Sequence, residues 1–312
     1  DLVWVGRLGF QAIAGLGVVQ AYIMVTTTFR SGVEVAARAT IARAVGARQI
    51  AYANHILLQS MTITGAFAVS TIILGWTFSE PMLRVFGLSD NMVSLAVPYM
   101  RIQFLAMAVW GFHSLTGGTL QASGDPITPL KAETISRVAH LVLSPILIFG
   151  WLGMPSLELA GAAVASLIAR SLGLVLNLHA LSSGSSQLRL RLRDYRFDGP
   201  LIWTLLKIGI PASVTDLQRG LSRLAVIGIV ASFGATAVAA FTLARRAELV
   251  AMQAGQAIGR AAGALAGQNL GAHLPERAKM SVWWATAYVG LTSLVLTLLI
   301  LAFPIQIASF IN

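Results

Sequence analysis

The sequence predicts an all-α protein that crosses a membrane many times and is built from two similar lobes, the second incomplete. Three observations predict it. The 312 residues are 56% hydrophobic and only 11% charged, with a mean hydropathy of +0.75, and a soluble domain of that size does not keep so much apolar surface in water. Runs such as 160–181 and 280–310 are long enough to span a hydrocarbon core of about 30 Å. Finally, one segment occurs twice. Gly46-Ala47-Arg48-Gln49-Ile50-Ala51-Tyr52-Ala53 returns loosely as Gly271-Ala272-His273-Leu274-Pro275-Glu276-Arg277-Ala278, and Gly9-Phe10-Gln11-Ala12-Ile13-Ala14 as Gly234-Ala235-Thr236-Ala237-Val238-Ala239. Both pairs share an offset of 225 residues (46 to 271, 9 to 234) with no gap, so one unit is duplicated.

Apolar runs between breakers give the tail of one helix, 1–7, and eight fuller helices near 12–44, 49–78, 92–122, 131–150, 160–181, 200–232, 236–268 and 279–310. The helices at 12–44 and 236–268 are the two copies, each entered from a Gly-containing turn and closed by a Gly-Ala turn. The helix at 49–78 stops at Ser79-Glu80-Pro81, and the next at Ser123-Gly124-Asp125-Pro126. Gly150 to Pro155 ends the helix at 131–150, and Ser182-Ser183-Gly184-Ser185-Ser186 ends the one at 160–181. This places an N-terminal lobe at 1–181, a linker at 182–199 and a partial C-terminal lobe at 200–312. Both chain ends read as cuts through a longer protein.

Orientation follows from the basic residues of alternate loops. One set of connections holds Arg43, Arg48, Lys131, Arg137, Arg189, Arg191, Arg193, Arg196, Arg277 and Lys279, and the other only Arg7 and Arg84. Counting the tail as the first helix, even-numbered helices therefore end in the cytoplasm, with the protein in the cell's inner membrane. The basic run in the linker reads as an anchor facing anionic lipid. Six helices separate the repeat copies, and an even number leaves both lobes in one orientation, related by an axis along the membrane normal. Such a repeat points to a transporter with a path between its lobes.

Composition also excludes. Cysteine is absent, so disulfides and thiolate chemistry are ruled out. The net charge of +10 is explained by the cytoplasmic loops rather than by nucleic acid. The five histidines are scattered, so no metal site is expected, and phosphate-loop, zinc-protease and nucleophile-elbow motifs are missing.

Five stretches together resemble the multidrug and toxic compound extrusion (MATE) family. They are Asp1-Leu2-Val3-Trp4-Val5-Gly6-Arg7-Leu8-Gly9, Ala42-Arg43-Ala44-Val45-Gly46-Ala47, the turn from Gly118 to Pro129, Gly209-Ile210-Pro211, and Gly267-Gln268-Asn269-Leu270-Gly271-Ala272. The resemblance runs from late in the family's first helix through its ninth of about twelve. It implies a V-shaped pair of six-helix bundles, alternating access, and export of organic cations or drugs driven by H⁺ or Na⁺ entry, with no other cofactor. With three helices of the second bundle missing, the chain by itself is not expected to transport.

Ionisable residues within spans need a partner or a function. Asp1 matches the acidic residue of the family's first helix and is the first candidate for cation coupling. The resemblance then breaks. Where fifth helices of the family often carry Asn and Asp four residues apart before Pro, this chain has His140 and Ser144, and His140 is a candidate replacement proton carrier. Where some members have Glu in the seventh helix, this chain has Arg219. Asp216, Arg219 and Arg223 share one helical face, either as a self-neutralising patch or with Asp216 in the coupling role. Arg30, Glu34 and Arg38 form a second ladder, structural or coupling through Glu34. Its first two positions map by the repeat onto Gly255 and Gly259. Trp4, Met24, Phe29, Arg219, Phe241 and Met252 are candidates to line a substrate cleft. Arginines facing that cleft would repel cations.

The rival readings are a flippase for a lipid-linked anionic oligosaccharide, an intramembrane enzyme, and a receptor or scaffold. The chain is read as a non-enzymatic antiporter. Its partners are a small-molecule substrate and membrane lipid, and it acts as a monomer.

Overall fold

A computed structural model of the chain describes residues 4, 10–184, 186–303 and 306. Among them there is no strand. Eight long helices follow one another as α1 (Phe10–Gly46), α2 (Ile50–Arg84), α3 (Asp90–Ala122), α4 (Ile127–Phe149), α5 (Glu158–Ser183), α6 (Gly199–Ala231), α7 (Ala235–Gly271) and α8 (Pro275–Ala302). Single 3₁₀ turns, Trp151–Gly153 and Leu192–Asp194, lie in the connections after α4 and α5. Five of the eight, α2 to α5 and α8, are long and apolar enough to cross a membrane. The all-α membrane fold is as the sequence predicts.

Several helix ends differ from the breaker positions, for local reasons. Helix α2 runs through Pro81 to Arg84. A proline so close to the end removes one backbone donor, and the final turn is held by Val85 N–H donating to the Pro81 carbonyl (3.1 Å) and by Arg84 donating to Glu80 (2.9 Å). Helix α4 starts four residues early because Asp125 Oδ1 accepts from the amides of Ile127 (3.2 Å) and Thr128 (3.0 Å), which leaves Pro129 in the tolerant first turn. Helix α8 likewise begins on Pro275 at its first positions.

The chain forms two compact units, one of Asp1–Ile41 with Ile50–Val214 and one of Ala42–Gln49 with Thr215–Asn312. The first has a core of Leu16 and Val19 from α1, Tyr99 and Phe104 from α3, Ile148 from α4, and Leu159 and Ala162 from α5. Its helices approach closely where one of them carries no side chain. A Cβ on Gly161 of α5 would run into the Leu147 carbonyl of α4, and one on Gly75 of α2 into the Phe104 ring of α3.

The linker is tied down along α2. Arg189 N–H donates to Asn54 Oδ1 (3.0 Å), Gln59 Nε2 donates to the Arg196 carbonyl (2.6 Å), and the Asp198 amide donates back to Gln59 Oε1 (3.3 Å). Leu188 is fully buried between these ties. Asp198 then caps α6: its Oδ1 accepts the Leu201 amide (2.9 Å) while Oδ2 meets His55 Nε2 (3.1 Å).

The duplication is visible in the backbone, between α1 and α7. Helices α1 and α7 have the same length, 37 residues, and their ends are 225 residues apart. After α1, the amides of Ala47, Arg48 and Gln49 donate to the carbonyls of Arg43, Val45 and Ala44. After α7, those of Ala272, His273 and Leu274 donate to Gln268, Leu270 and Asn269, the same pattern shifted by 225. Each turn holds its non-glycine residue left-handed, Arg48 at φ 58° and His273 at φ 59°, in a Schellman closure. Helix α8 buries only Ala278 among its described side chains; Trp283, Trp284, Leu291 and Leu298 stand exposed. A face that apolar and long belongs in hydrocarbon.

Candidate functional site

Charge enters the first unit on α1. Arg30, Glu34 and Arg38 recur every four residues and so share a face. Arg30 donates to Glu34 Oε2 (3.3 Å) and Arg38 to Oε1 (2.7 Å). Ser114 of α3 adds a third donor to Oε2 at 2.6 Å. Helix α3 accepts this ladder because Gly111 and Gly118 flank Ser114 one turn away on either side; a Cβ at Gly111 would already press on Arg30 Cδ at 3.2 Å. Both oxygens of Glu34 are therefore occupied, and one carboxylate answers two guanidiniums. Glu34 sits in a stabilising triad whose net charge is positive.

Trp110 of α3 links that ladder to a polar cavity. The Arg30 guanidinium lies over its ring at 4.2 Å from the centroid, and Arg170 of α5 at 5.4 Å. Beyond it, a cavity of about 250 Å³ is lined by Trp110 and His113 of α3, Glu133, Ser136, Arg137 and His140 of α4, and Ser166, Ala169 and Arg170 of α5. Three helices with apolar outer faces thus turn their ionisable side chains toward one internal space.

The hydrogen bonds fix the orientation of the His113 ring. Asn177 Nδ2 donates to the His113 carbonyl (3.2 Å) and lies 3.3 Å from His113 Nδ1. Since the carbonyl requires the amide nitrogen on that side, Nδ1 is the acceptor and Nε2–H points the other way, to Glu133 Oε2 at 2.9 Å. Gly173 makes room for the ring, because a Cβ there would fall 2.6 Å from His113 Cε1. The second oxygen of Glu133 accepts from Arg137 Nε at 2.6 Å. His140 Nε2 pairs with Ser166 Oγ at 3.0 Å, and Ser144, one turn further along α4, is buried.

Of the residues singled out from sequence, His140 lines this cavity and Glu34 stands one helix away in the triad. Asp216 and Arg219 lie together in the second unit, the Arg219 guanidinium 3.3 Å from Asp216 Oδ1 on a largely exposed face. Phe241 lines a separate, mostly apolar cavity of about 320 Å³ with Ser222, Val226, Ile227, Thr242 and Arg245, and Arg245 pairs with Glu248 at 2.6 Å. Trp4 packs edge-on against Phe149 and Trp151, Met24 is exposed and Met252 half-buried. Asp1, and the side chains of Phe29 and Arg223, lie outside the described residues.

Sequence reasoning missed His113, Glu133, Arg170 and Asn177. One signal was present: Glu133, Arg137 and His140 fall at i, i+4 and i+7 on α4, the periodicity that revealed the ladder on α1. The count of basic loop residues assigns Arg137 to a connection instead. It lies well inside α4, with its side chain at the cavity's open side, 72% exposed.

Comparison with known proteins agrees with this architecture. The chain is 28% identical over 98% of its length to the probable multidrug resistance protein YoeA of Bacillus subtilis, covering 67% of that protein. It is 25% identical over 93% of its length to an FAD transporter of Shewanella oneidensis, covering 64%. It thus spans about two-thirds of the length of these relatives. A MATE crystal structure in complex with MaD3S superposes with a TM-score of 0.90 at 22% identity, covering 99% of this chain and 69% of the other. The MatE family model matches residues 1–146 and 211–312, and the chain belongs to that family.

Proposed function

We propose that the chain forms part of an ion-coupled antiporter that exports drug-like organic solutes by alternating access, with H⁺ or Na⁺ moving inward. The observation that carries this reading is the cavity itself. Membrane-spanning helices bury charged groups only at a cost of several kcal/mol, yet His113 of α3 and Arg170 of α5 line one cavity, whose more open side carries Glu133 and Arg137 of α4. Such a site suits a protein that must receive polar or charged groups from water and pass them across hydrocarbon. Asp1 is the first candidate for coupling, followed by Asp216, His140 and Glu34. The excess of basic residues in alternate connections supports an orientation in which the even-numbered helices, counted from the predicted tail, end in the cytoplasm, with the protein in an inner membrane. The relatives' names support a broad cargo range, from drugs in one to FAD in another.

The experiment is efflux from proteoliposomes holding the full-length gene product, loaded with ethidium or with fluorescein, under a pH gradient and then a sodium gradient. Efflux driven by one ion and lost in Asp1→Asn identifies the coupling ion and its carrier. Well-folded protein that moves neither dye under either gradient overturns the transporter reading.

A further inference from the structure

We propose that the cavity among α3, α4 and α5 binds an organic anion, taking its carboxylate or phosphate on Arg170. This rests on the transporter reading and deepens it, from organic cargo in general to cargo bearing a negative charge.

Arg170 is the key residue. Its guanidinium carries five N–H donors. The only acceptors it finds among the described residues are the Ala106 carbonyl at 3.4 Å and Met107 Sδ at 3.8 Å, both through Nη1. Neither is a good hydrogen bond, and neither is charged. No carboxylate of the described residues lies within ion-pair distance of it. Nη2 and Nε thus have no hydrogen-bond acceptor among the described residues, on a side chain that lines the cavity. A desolvated cation in that condition is costly, and a planar carboxylate or a phosphate answers it with two parallel bonds.

The rest of the cavity selects the same charge. Glu133 is the one acidic lining group among the described residues, and both its oxygens are engaged, by His113 and Arg137. Arg137 is the second cation in the lining. Behind Trp110 the α1 ladder adds Arg30 and Arg38 against Glu34. Around Trp110 and the cavity, four arginines (Arg30, Arg38, Arg137, Arg170) face two glutamates (Glu34, Glu133). Among the described residues, an organic cation entering here would meet the Arg170 guanidinium and no carboxylate with a free oxygen. An anion would meet Arg170 and, in the same lining, the Ser136 hydroxyl, which makes no hydrogen bond among the described residues. A space of about 250 Å³ admits an anionic group with a small ring rather than a whole large drug.

The test measures equilibrium binding to the full-length protein in phosphatidylcholine nanodiscs, with no gradient applied, so that it reads the site apart from transport. The probes are 2-naphthoate and 2-naphthylmethylammonium, which share a ring system and differ in charge. Naphthoate is expected to bind in preference to the ammonium compound, and Arg170→Gln to weaken naphthoate at least about tenfold, the scale of one charged hydrogen bond. Ser136→Asp, which adds a carboxylate to the lining that Arg170 shares, is expected to abolish naphthoate binding while leaving the guanidinium in place. It stands in if Arg170→Gln does not fold. Preference for the ammonium probe, or naphthoate binding indifferent to both substitutions, overturns the proposal. So does naphthoate displaced when phosphatidylglycerol replaces phosphatidylcholine, since the site then holds a lipid headgroup rather than cargo. If naphthoate binds through Arg170 and yet no dye moves in proteoliposomes, the transporter reading fails and the anion site stands.

Discussion

Gly46 and Gly271 receive each other's helix ends. A Cβ on Gly46 would collide with the carbonyl of Gln268, and a Cβ on Gly271 with the carbonyl of Arg43. Gln268 lies 225 residues beyond Arg43 and Gly271 225 beyond Gly46, so each closing turn seats its carbonyl against its repeat counterpart's glycine. The contact is self-complementary within the second unit, as in a small two-fold interface built from one chain.

Alanine at either glycine therefore forces the two turns apart. Gly46→Ala and Gly271→Ala are each expected to destabilise by about 1–3 kcal/mol, the usual cost of overpacking. The double variant is expected to cost less than the sum, because the first substitution already separates the surfaces the second would press upon. Thermal unfolding in detergent of the wild type, both singles and the double checks this; strict additivity contradicts a shared contact.

The α1 ladder predicts an asymmetry between its members. Glu34→Ala leaves Arg30 and Arg38 facing one another without a carboxylate in a largely buried site, which costs about 3–5 kcal/mol. Ser114→Ala removes one of three donors to that carboxylate and is expected to cost about 1 kcal/mol. Unfolding midpoints that rank the two the other way would contradict the placement of Glu34 at the centre of the triad.

At the start of α6, Asp198 gives a pH signature. The Leu201 amide, and after it His55, hold its carboxyl below the usual aspartate value. A depressed carboxyl stabilises the fold above its unfolded-state pKa of about 4, and that contribution disappears as pH falls through the lower folded value. Asp198→Asn keeps an acceptor for the Leu201 amide and loses the charge. Wild type is expected to melt above the Asn variant at neutral pH, with the gap closing below about pH 4. A gap that does not change with pH would show that the charge contributes nothing there.

His113 offers a separate check. Its ring is oriented by Asn177, and Asn177→Leu removes the donor to Nδ1 and to the His113 carbonyl. A buried acceptor left bare costs about 1–3 kcal/mol. The variant is expected to fold with reduced stability and to loosen the Glu133 contact, visible as a change in the His113 imidazole signals by NMR.

Much of the frame could be read from the residues. Gly46-Ala47 and Gly271-Ala272 mark helix ends because a Schellman closure follows them, and the 225-residue offset held to the single hydrogen bond. Pro81 misled because a proline near a helix end costs only one donor. The ladder on α1 was visible because its members are neighbours in sequence. Its partner Ser114 was not, since only packing brings a residue 80 positions away onto Glu34. The cavity was hidden for the same reason. His113, Glu133 and Arg170 come from three helices, and their convergence depends on how each helix is rotated about its axis, which the near-uniform apolar composition of the spans does not encode.

The two 37-residue helices share a length, a closing turn and a hydrogen-bond pattern, while Arg30 and Glu34 of one correspond to Gly255 and Gly259 of the other. The ancestral gene doubling survives in the peptide skeleton and has been erased from the side chains. A symmetric skeleton with unlike ionic content is free to specialise: one copy keeps its charges locked in a triad, while its twin presents bare glycine at the same two addresses. Grafting Arg and Glu onto Gly255 and Gly259 would thus be an experiment in reversing evolution, asking whether the second copy still has room for what the first retained.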